Sequence, residues 1–277
     1  MNIDTKTLQK ELLEIMKSFH DICCANDIKY YMLGGSCLGA IRHKGFIPWD
    51  DDMDVGLPRK DYDKFCKEAK NILPSNLELR YYKSDKNSPF HYVKLINKNT
   101  TLVEKNYINY VEGLYIDVFP LDGMNKFNFL GKMRAQIIWL CKAILIYHLT
   151  TTVKKKIYQN VFKIFARCIS LKFIHIFVEK LMTLNKMDNP PLLCNFFGSW
   201  EPREIIPSSV FGQPTLYQFE NTAFYGPQKA DVYLKSLYDD YMQLPPEKDR
   251  ICRHDYHYVN LNLPYRGYKK ENAEREV

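Results

Sequence analysis

Several features are missing from this sequence. Apolar stretches such as Ala143 to Tyr147 are short and flanked by polar residues, so none is long enough to cross a bilayer. Residues 1–16 carry charges where a secretory signal would need an apolar segment. The 8 cysteines are scattered without the paired spacing of zinc sites, and we expect reduced, mostly buried thiols. These absences favour a cytoplasmic protein.

The positive charge of the chain is concentrated in one segment. Between Lys126 and Lys186 there are twelve Lys or Arg residues and one acid, Glu179, which gives this segment a formal charge of +11. The whole chain carries +7, so the remainder is slightly acidic at −4. Two interpretations stay open: peripheral docking on the anionic inner face of the cell membrane, or a solvated outer surface. No nucleic-acid recognition motif accompanies the charge, so nucleic acid is not expected as a partner.

The spacing of apolar residues predicts a mixed α/β (α+β) fold. Helical spacing covers residues 8–23, capped by Asp4 or Thr5, and residues 36–42, 59–73 and 228–241. Strand-like patterns cover residues 30–33, 52–57, 77–82, 91–96 and 114–119, with Pro120 ending the last strand. We expect a catalytic core at 1–125, an inserted basic helical lobe at 126–190, a part that completes the catalytic domain at 191–265, and a disordered tail at 266–277.

The predicted lobe shows amphipathic helical stripes. One stripe consists of Ile157, Val161, Ile164, Phe165 and Cys168, opposite basic residues Lys156, Lys163 and Arg167. A second stripe consists of Ile174, Phe177, Val178 and Leu181. The lobe should therefore pack apolar side chains on one face and present basic side chains on the other.

A glycine turn follows the first predicted strand. Gly34 and Gly35 precede Ser36, which begins the next predicted helix. Backbone N–H groups at such a turn, together with a Ser hydroxyl, can approach phosphate oxygens at a helix N-terminus. Two glycines alone more often mark only a turn, so this feature gains meaning from the residues that follow it.

Two carboxylates, Asp52 and Asp54, flank Met53 in a predicted strand. The period of two places both carboxylates on one face of the strand and Met53 on the other. Such carboxylates repel each other unless a cation lies between them, and oxygen ligands suit Mg²⁺ or Mn²⁺. A solvated acidic turn is the alternative, but the neighbouring glycine turn favours a metal site.

A third carboxylate would complete the site. Asp117 lies in an otherwise apolar strand, where an unpaired charge is costly. It could bind metal or take a proton from an attacking hydroxyl, or it could pair with a buried Arg or Lys. These two interpretations are equally compatible with the local sequence.

Other side chains near these motifs could contact a phosphorylated donor. Arg42 and Lys44 follow the predicted second helix and could neutralise phosphate, or could be solvated cations at a helix end. Lys94 could reach the phosphates or point outward. Trp49 could hold a cationic head group by a cation–π contact, or pack its loop against the core. Cys252 and His254 are too isolated to indicate a zinc site, and the role of His254 stays open.

Three segments together resemble the LicD family of phosphocholine transferases, and more distantly the fukutin-related transferases. The segment LGGSCLGAIRHKGFIPWDDDMDVGLPRKDYDKF matches the signature of that family nearly throughout. LYIDVFPLDG, residues 114–123, is similar to its second motif, and YLKSLYDDYMQLPPEKDR, residues 233–250, to its C-terminal motif, with His254 just beyond. Asp239 stands where the family usually has Gly, so the turn there could differ. The basic lobe is the part least like the family.

The resemblance implies a nucleotidyltransferase fold with Asp52, Asp54 and Asp117 as metal-binding carboxylates. It also implies transfer of phosphocholine from CDP-choline, or a similar CDP-activated donor, to a cell-surface glycan such as lipopolysaccharide or teichoic acid, or to a lipid-linked precursor. The residues alone predict only metal-assisted phosphoryl-type transfer. We expect Asp52 and Asp54 to hold the metal on the donor diphosphate, and Asp117 to help bind metal and to orient or deprotonate the acceptor hydroxyl.

Three alternatives stay open at this point. A nucleotidyltransferase proper would place a nucleoside monophosphate on a small molecule or protein and would use the same glycine turn and carboxylates. An Asp-x-Asp glycosyltransferase has no need for the Gly-Gly-Ser turn upstream of its metal site. A non-enzymatic binding protein would not need all three carboxylates.

Overall fold

The structure is a computed structural model that describes residues 3–107, 109–149, 164, 166–184, 188–252 and 254–269. Its first helix, α1 (Thr5–Ala25), begins where Asp4 accepts a hydrogen bond from the backbone N–H of Thr7 at 3.0 Å. The predicted apolar stripe of this helix is buried, including Leu12, Met16 and Phe19. The helix therefore forms because one capped stripe of side chains packs against the sheet.

The remaining elements follow the predicted alternation of helices and strands. In the first half these are β1 (Tyr31–Met32), α2 (Gly34–Arg42), β2 (Asp54–Pro58), α3 (Arg59–Ile72), β3 (Leu77–Arg80), β4 (Val93–Glu104) and β5 (Val111–Met124). In the second half these are α4 (Phe129–Leu149), α5 (Leu171–Met182), β6 (Leu192–Cys194), β7 (Ile205–Pro207), α6 (Ser208–Phe211), β8 (Thr215–Phe219), β9 (Thr222–Gly226), α7 (Ala230–Tyr238) and β10 (Tyr256–Asn260).

One mixed sheet organises the molecule, with the path β1-β2-β5-β4-β10. The pair β2–β5 is parallel, and the other pairs along this path are antiparallel. Strand β3 pairs with the first half of β4, and β6 links β5 to β7, while β8 and β9 form a separate hairpin. The prediction of a mixed α/β fold with flanking helices is confirmed.

Strand β5 continues through Pro120, so the prediction that this proline ends the strand was wrong. The backbone N–H of Asp117 donates to the carbonyl oxygen of Met53, just before β2, and the N–H groups of alternate residues beyond Asp117 face β2. The nitrogen of Pro120 therefore faces the opposite side, where the pairing with β4 has already ended at Val118. A proline is tolerated there because no ladder hydrogen bond is lost.

The predicted basic lobe contains α4 and α5, which pack against each other. Ile174 and Val178 of the second predicted stripe are buried, whereas Phe177 is exposed. Of the first stripe, Ile157, Val161 and Phe165 lie outside the described residues, as do Lys156 and Lys163, and Ile164 is exposed. The stripes are thus only partly turned inward.

The described helices and the C-terminal segment bear on two further predictions. Within the described ranges, no helix combines the length and apolar character that crossing a membrane requires. At the C-terminus, residues Tyr265–Gly267 form a 3-10 turn, and Arg266 pairs with Glu78 of β3 at 2.7 Å. The expected disorder of the tail therefore does not extend to residues 266–269, and residues 270–277 lie outside the described part.

Candidate active site

A cleft of about 860 Å³ opens beside the parallel pair β2–β5. Its wall is formed by the start of α2, the acidic loop before β2, the far end of α4, and the segments around residues 195–204 and 237–246. The predicted residues that line it are Gly34, Gly35, Arg42, Trp49, Asp52, Asp54, Lys94 and Asp117. Ser36 and Lys44 are not among the described residues that line the cleft.

Asp54 and Asp117 are opposite each other in the register of β2 and β5. Asp54 is the first residue of β2, and Asp52 precedes that strand. Met53, which separates them in the sequence, is buried and does not line the cleft. Asp52 and Asp54 therefore lie on the same side of the chain, as the sequence predicted, although β2 begins two residues later than predicted. The parallel register brings the third predicted carboxylate, 63 residues further along the chain, directly beside the first two.

Mutual repulsion and burial disturb the ionisation of these carboxyl groups. Burial, followed by the charges of Asp52 and Asp117, raises the pKa of Asp54 well above its ordinary value. Burial raises the pKa of Asp117 to about 7, with the charge of Asp52 adding to the effect and Lys94 opposing it. Burial and Asp52 raise the pKa of Asp50 to about 8. Such a cluster binds a proton or a cation more readily than isolated carboxylates do.

The donor set of this cluster fits a magnesium ion. Oδ1 of Asp117 is buried and has no hydrogen-bond partner among the described residues. The available ligands are carboxylate oxygens, which Mg²⁺ prefers, and water and substrate phosphates usually complete its octahedron. Within the described ranges, no three His, Cys, Asp or Glu side chains are already gathered at metal-binding distance. Asp52, Asp54 and Asp117 are thus the residues that would hold the ion, together with a bound donor.

The glycine turn is pressed against the same carboxylates. A Cβ atom on Gly34 would lie 3.4 Å from Oδ2 of Asp54, and a Cβ atom on Gly35 would lie 2.6 Å from Oδ2 of Asp50. Gly34 also has a positive φ of 45° at the first residue of α2. A Cβ atom on Gly35 would displace the carboxylate of Asp50, so Gly35 is required by close approach, whereas Gly34 is favoured by its positive φ.

Two polar groups of this turn already have internal partners. The N–H of Gly34 donates to the hydroxyl of Tyr233 at 3.0 Å. The hydroxyl of Ser36 accepts from the backbone N–H of Asp54 at 2.8 Å, and its side chain is buried. In this structure Ser36 therefore fixes the start of β2, and its predicted contact with a donor phosphate stays a prediction.

The basic residues predicted to contact the donor have different environments. Arg42 lines the cleft, while its Nη1 donates to the carbonyl oxygens of Tyr241 at 2.6 Å and Gln243 at 3.4 Å. Lys44 is exposed, with a positive φ of 62°, and its carbonyl oxygen accepts from the N–H of Glu220 at 2.7 Å. The structure thus brings Arg42 to the cleft and places Lys44 outside it.

Lys94 is buried beside the carboxylates, rather than pointing outward. It is opposite Asp117 in the register of β4 and β5, and its Nζ pairs with Glu112 at 2.7 Å. The same Nζ lies 3.6 Å from the ring centroid of Tyr115 and 4.0 Å from that of Phe90. Burial opposes the charge, but Glu112 and Asp117 outweigh it, so the pKa of Lys94 is raised. Lys94 is therefore a fixed positive charge next to Asp117.

Trp49 lines the cleft and packs against the core from its loop. The guanidinium carbon of Arg250 lies 5.8 Å from its ring centroid, and the ring of His43 lies edge-on at 6.4 Å. Both earlier interpretations thus have support, because the indole contributes to packing and also borders the cleft.

Asp51 organises a hydrogen-bond cluster that local sequence patterns did not predict. It is buried and accepts hydrogen bonds from Cys252 Sγ at 2.8 Å, His254 Nδ1 at 2.9 Å and the Tyr256 hydroxyl at 2.6 Å. These contacts tie the acidic loop to the start of β10 and to the segment before it. Cys252 here is a hydrogen-bond donor to Asp51.

His254 is placed at the edge of the cleft by this cluster. Burial would lower the pKa of His254, but the hydrogen bond to Asp51 and the charge of Asp52 outweigh it and raise the pKa to about 9. Because Nδ1 is committed to Asp51, Nε2 is the nitrogen that a ligand in the cleft could contact. The sequence signal for this residue was its position just beyond the C-terminal motif.

Two further cleft residues come from distant segments. Glu204 is buried, accepts from the N–H of Trp200 at 2.9 Å, and has its pKa raised by burial to about 7. The hydroxyl of Tyr238 lies 3.6 Å from the Cβ position of Gly34, and burial with the charge of Asp54 raises its pKa. No local pattern distinguishes these two residues from ordinary core side chains.

Asp239 follows α7 with a positive φ of 56° and pairs with Arg203 at 2.9 Å. It stands at the position where the resemblance led us to expect Gly. With ψ at −109°, the backbone of Asp239 lies outside the left-handed helical region that Asp tolerates, so the turn retains a conformation that suits glycine.

The sequence of this chain matches one protein-family model and several known proteins. Residues 27–139 match the family described as LicD/FKTN/FKRP, nucleotidyltransferase domain. The chain is 26% identical to the lipopolysaccharide cholinephosphotransferase LicD of Haemophilus influenzae over 263 residues, covering 87% of this chain and 92% of that protein. An uncharacterised Rickettsia typhi protein is 41% identical over 70 residues, which cover 25% of this chain and 21% of that protein.

A shorter match is to human ribitol 5-phosphate transferase FKRP, 49% identical over 37 residues that cover 13% of this chain and 8% of that protein. The matched domain contains β2, the glycine turn and Asp117, and so includes the three carboxylates of the cleft. Residues 27–139 of this chain therefore match the nucleotidyltransferase domain of the LicD/FKTN/FKRP family.

Proposed function

We propose that this chain is a Mg²⁺-dependent transferase that moves phosphocholine, or a similar phospho-substituent, from a CDP-activated donor to a hydroxyl of a cell-surface glycan or its lipid-linked precursor. Similarity to a cholinephosphotransferase over most of the chain and to a ribitol 5-phosphate transferase over a short segment supports a transferase of a phospho-substituent. The observation that carries the proposal is the direct pairing of Asp54 with Asp117, whose buried Oδ1 lacks a hydrogen-bond partner among the described residues.

The carboxylates of the cleft would hold the ion and the donor diphosphate in one place. A bound Mg²⁺ supplies positive charge that offsets the charge of the diphosphate and of the departing nucleotide. Asp52 and Asp54 are its proposed ligands, and Asp117 completes the set. Mn²⁺ has similar ligand preferences and is expected to replace Mg²⁺.

The side chains around the carboxylates have separate tasks in this proposal. The N-terminus of α2 at Gly35 and the guanidinium of Arg42 face phosphate oxygens and keep them in line with the acceptor. Lys94, buried opposite Asp117, moderates the negative charge of the cluster before the donor binds. Nε2 of His254 is available to a phosphate oxygen because Asp51 holds Nδ1.

The transfer forms one bond and breaks one. The acceptor hydroxyl oxygen attacks the phosphorus that carries the head group, and the bond between that phosphorus and the oxygen bridging the two phosphates breaks. The bridging oxygen leaves with CMP, and the hydroxyl proton passes to a base of the cleft. Asp117 is the residue proposed to orient or deprotonate the hydroxyl. Catalysis then derives mainly from positioning and charge stabilisation.

A nucleotidyltransferase proper is the second candidate, and the observation that favours it is the family description of residues 27–139. It would use the same carboxylates but attack the phosphorus that carries the nucleoside. An incubation with CDP-choline, CDP-glycerol, CDP-ribitol, nucleoside triphosphates and UDP-sugars, each with a glycan acceptor, separates these reactions by the masses of the products. We expect CMP and a phospho-substituted acceptor from a CDP-linked donor. A nucleotide-modified acceptor or a sugar-modified acceptor would overturn the proposal.

A further inference from the structure

Helix α4 is apolar on two sides. Its inward side buries Ala135, Ile138 and Leu145 against the core. Its outward side exposes a second stripe at helical spacing, with exposed fractions of 70% for Leu130 and 54% for Leu140, and this stripe also includes Met133 and Ile137. A helix that is apolar all round normally has a partner on every side, so the exposed outward stripe of α4 indicates a surface that a partner covers.

Helix α5, which packs beside α4, has the same property. Ile174 and Val178 are buried, while Phe173 is 64% exposed and Ile176 and Phe177 are also exposed. The rings of Phe173 and Phe177 lie parallel, with centroids 6.4 Å apart. We call the outward apolar residues of α4 and α5 together the lobe face. It comprises Phe129, Leu130, Met133, Ile137, Leu140, Phe173, Ile176 and Phe177.

The charged residues of these helices are sorted by side. Glu179, the single acid between residues 126 and 186, contacts His91 at 3.0 Å and Arg59 at 3.6 Å on the side of the core. Arg134 is buried and donates to the carbonyl oxygen of Met182 at 2.8 Å, and Lys142 donates to that of Gly198 at 2.7 Å. Glu179, Arg134 and Lys142 therefore bind other groups of the protein.

The exposed charged residues of α4, of α5 and of the segment just before α4 are basic. They are Lys126 and Lys132 near the start of α4 and Lys172 and Lys180 in α5. Exposed apolar side chains flanked by lysines are the composition of helices that lie in the interface of an anionic membrane. The net charge of +11 across residues 126–186 adds long-range attraction to such a surface.

We propose that the lobe face docks on an anionic lipid bilayer surface, with its apolar side chains in the interface and its lysines at the lipid phosphates. A second copy of the chain is a poorer occupant, because two copies of a face bordered by the same four exposed lysines would repel each other. The proposal uses the charge of the sequence and the exposure of the apolar stripe, and neither observation depends on the contents of the cleft.

Helix α4 belongs both to the lobe face and to the wall of the cleft, so docking would affect where the cleft lies relative to the membrane. Lys142, Leu145 and Ile146, near the end of this helix, line the cleft, whereas Leu130 and Met133 lie near its beginning. A helix docked on the membrane would hold the cleft close to the surface where a lipid-linked acceptor is anchored. This step alone rests on the proposed function, whereas the docking itself does not.

Sedimentation with vesicles tests the docking without donor or turnover, so it can fail while the proposed function stands. The full chain is mixed at low salt with vesicles of equal parts phosphatidylcholine and phosphatidylglycerol, and in parallel with pure phosphatidylcholine vesicles. We expect binding to the anionic vesicles that weakens as salt rises. The double variant L130S/L140S and the double variant K132E/K172E should each weaken binding about tenfold or more.

Matched controls come from exposed residues outside the lobe. Leu216→Ser in β8 removes a similarly exposed leucine, at 53% exposure, and Lys10→Glu reverses an exposed charge on α1. Both controls should bind like the unmodified chain. Absence of binding to anionic vesicles at low salt would overturn the proposal, as would equal binding by the lobe variants. Concentration-dependent dimers that the lobe variants abolish would assign the face to a second copy instead.

Discussion

Asp54 of β2 and Asp117 of β5 are direct neighbours across a parallel strand pair, in the register that also aligns Val55 with Val118. Backbone hydrogen bonds on both sides of Asp54 fix this relationship, since Leu33 N–H donates to the carbonyl oxygen of Asp54 and Asp117 N–H donates to that of Met53, each at 2.9 Å. The sheet therefore holds two like charges together, at a cost that a cation can remove.

Replacing Asp117 by Asn should separate catalysis from stability. Turnover with saturating Mg²⁺ is expected to fall about 10³-fold or more, because a ligand of the metal site is lost. Without metal, the free energy of unfolding should rise by roughly 1–2 kcal/mol at pH 8, since repulsion is relieved. Kinetic assays and urea denaturation measure the two effects.

The pH dependence of that stabilisation follows from the raised pKa of Asp117. Its folded-state pKa of about 7 lies above the ordinary 3.8, so ionisation destabilises the fold increasingly between these values. The gain in the Asn variant should be present at pH 8 and absent near pH 4. Asp21→Asn, an exposed carboxylate of α1, is the control. Full activity in the Asp117 variant would contradict the assignment of this site.

Lys94 and Glu112 form a buried pair, so removing one partner should cost more than removing both. Lys94→Met leaves the Glu112 carboxylate without its 2.7 Å partner and is expected to lower the free energy of unfolding by about 3–5 kcal/mol. The double variant K94M/E112Q should recover most of this loss. Denaturation of all four proteins gives the coupling energy. Additive losses would mean that the two side chains act independently.

Trp49→Leu tests whether the indole holds a cationic head group. If the ring contributes a cation–π contact, the change should reduce turnover of CDP-choline by a factor that corresponds to about 0.5–2 kcal/mol, and should spare CDP-glycerol. Equal losses on both donors would assign Trp49 to packing of its loop, where Arg250 and His43 are its neighbours. Faster turnover of CDP-glycerol by the unmodified chain would contradict the choline assignment alone.

The contact between α5 and the core should weaken in mild acid. His175 Nδ1 lies 3.0 Å from His91 Nδ1, and its Nε2 lies 3.0 Å from the carbonyl oxygen of Ser88. Burial, followed by the charge of His91, lowers the pKa of His175 from 6.5 to about 4. Below pH 6.5 the unfolded chain therefore binds a proton that the folded chain refuses, and stability falls until about pH 4.

The loss attributable to His175 is roughly 2–3 kcal/mol across that range. His175→Phe retains a ring stacked on Tyr82, whose centroid lies 4.5 Å from that of His175, but cannot titrate. Although this variant loses two hydrogen bonds and should be less stable at pH 7.5, its stability should change less between pH 6.5 and pH 4. An unchanged pH slope would show that His175 does not carry the effect.

Much of the core could be predicted from local patterns. The stripe of α1, the alternation around Met53 and the apolar strand containing Asp117 all follow from side-chain period, because burial on one face imposes that period. The full length of β4 was missed. The polar run Asn97-Lys98-Asn99 interrupts its pattern, and the pairing with β5 shifts register between Asn97 and Leu102.

The cleft could be predicted only in part, because long-range contacts complete it. Lys94 was expected to reach a phosphate or solvent, and nothing local indicates that Glu112 would pair with it across the sheet. Glu204 and Tyr238 reach the cleft from segments far along the chain, and their partners depend on how those segments pack. The family motif pointed near His254, but only the structure identifies Asp51 as its partner.

The central claim is that the phosphate travels with the head group, and a phosphorus label follows that phosphate directly. CDP-choline labelled at the phosphorus next to choline is incubated with Mg²⁺, the chain and a glycan acceptor, with Asp117→Asn as the inactive control. The account predicts that the label appears on the acceptor and that the released nucleotide is unlabelled CMP. Label in free phosphocholine with CMP on the acceptor, or label retained in CDP, would contradict it.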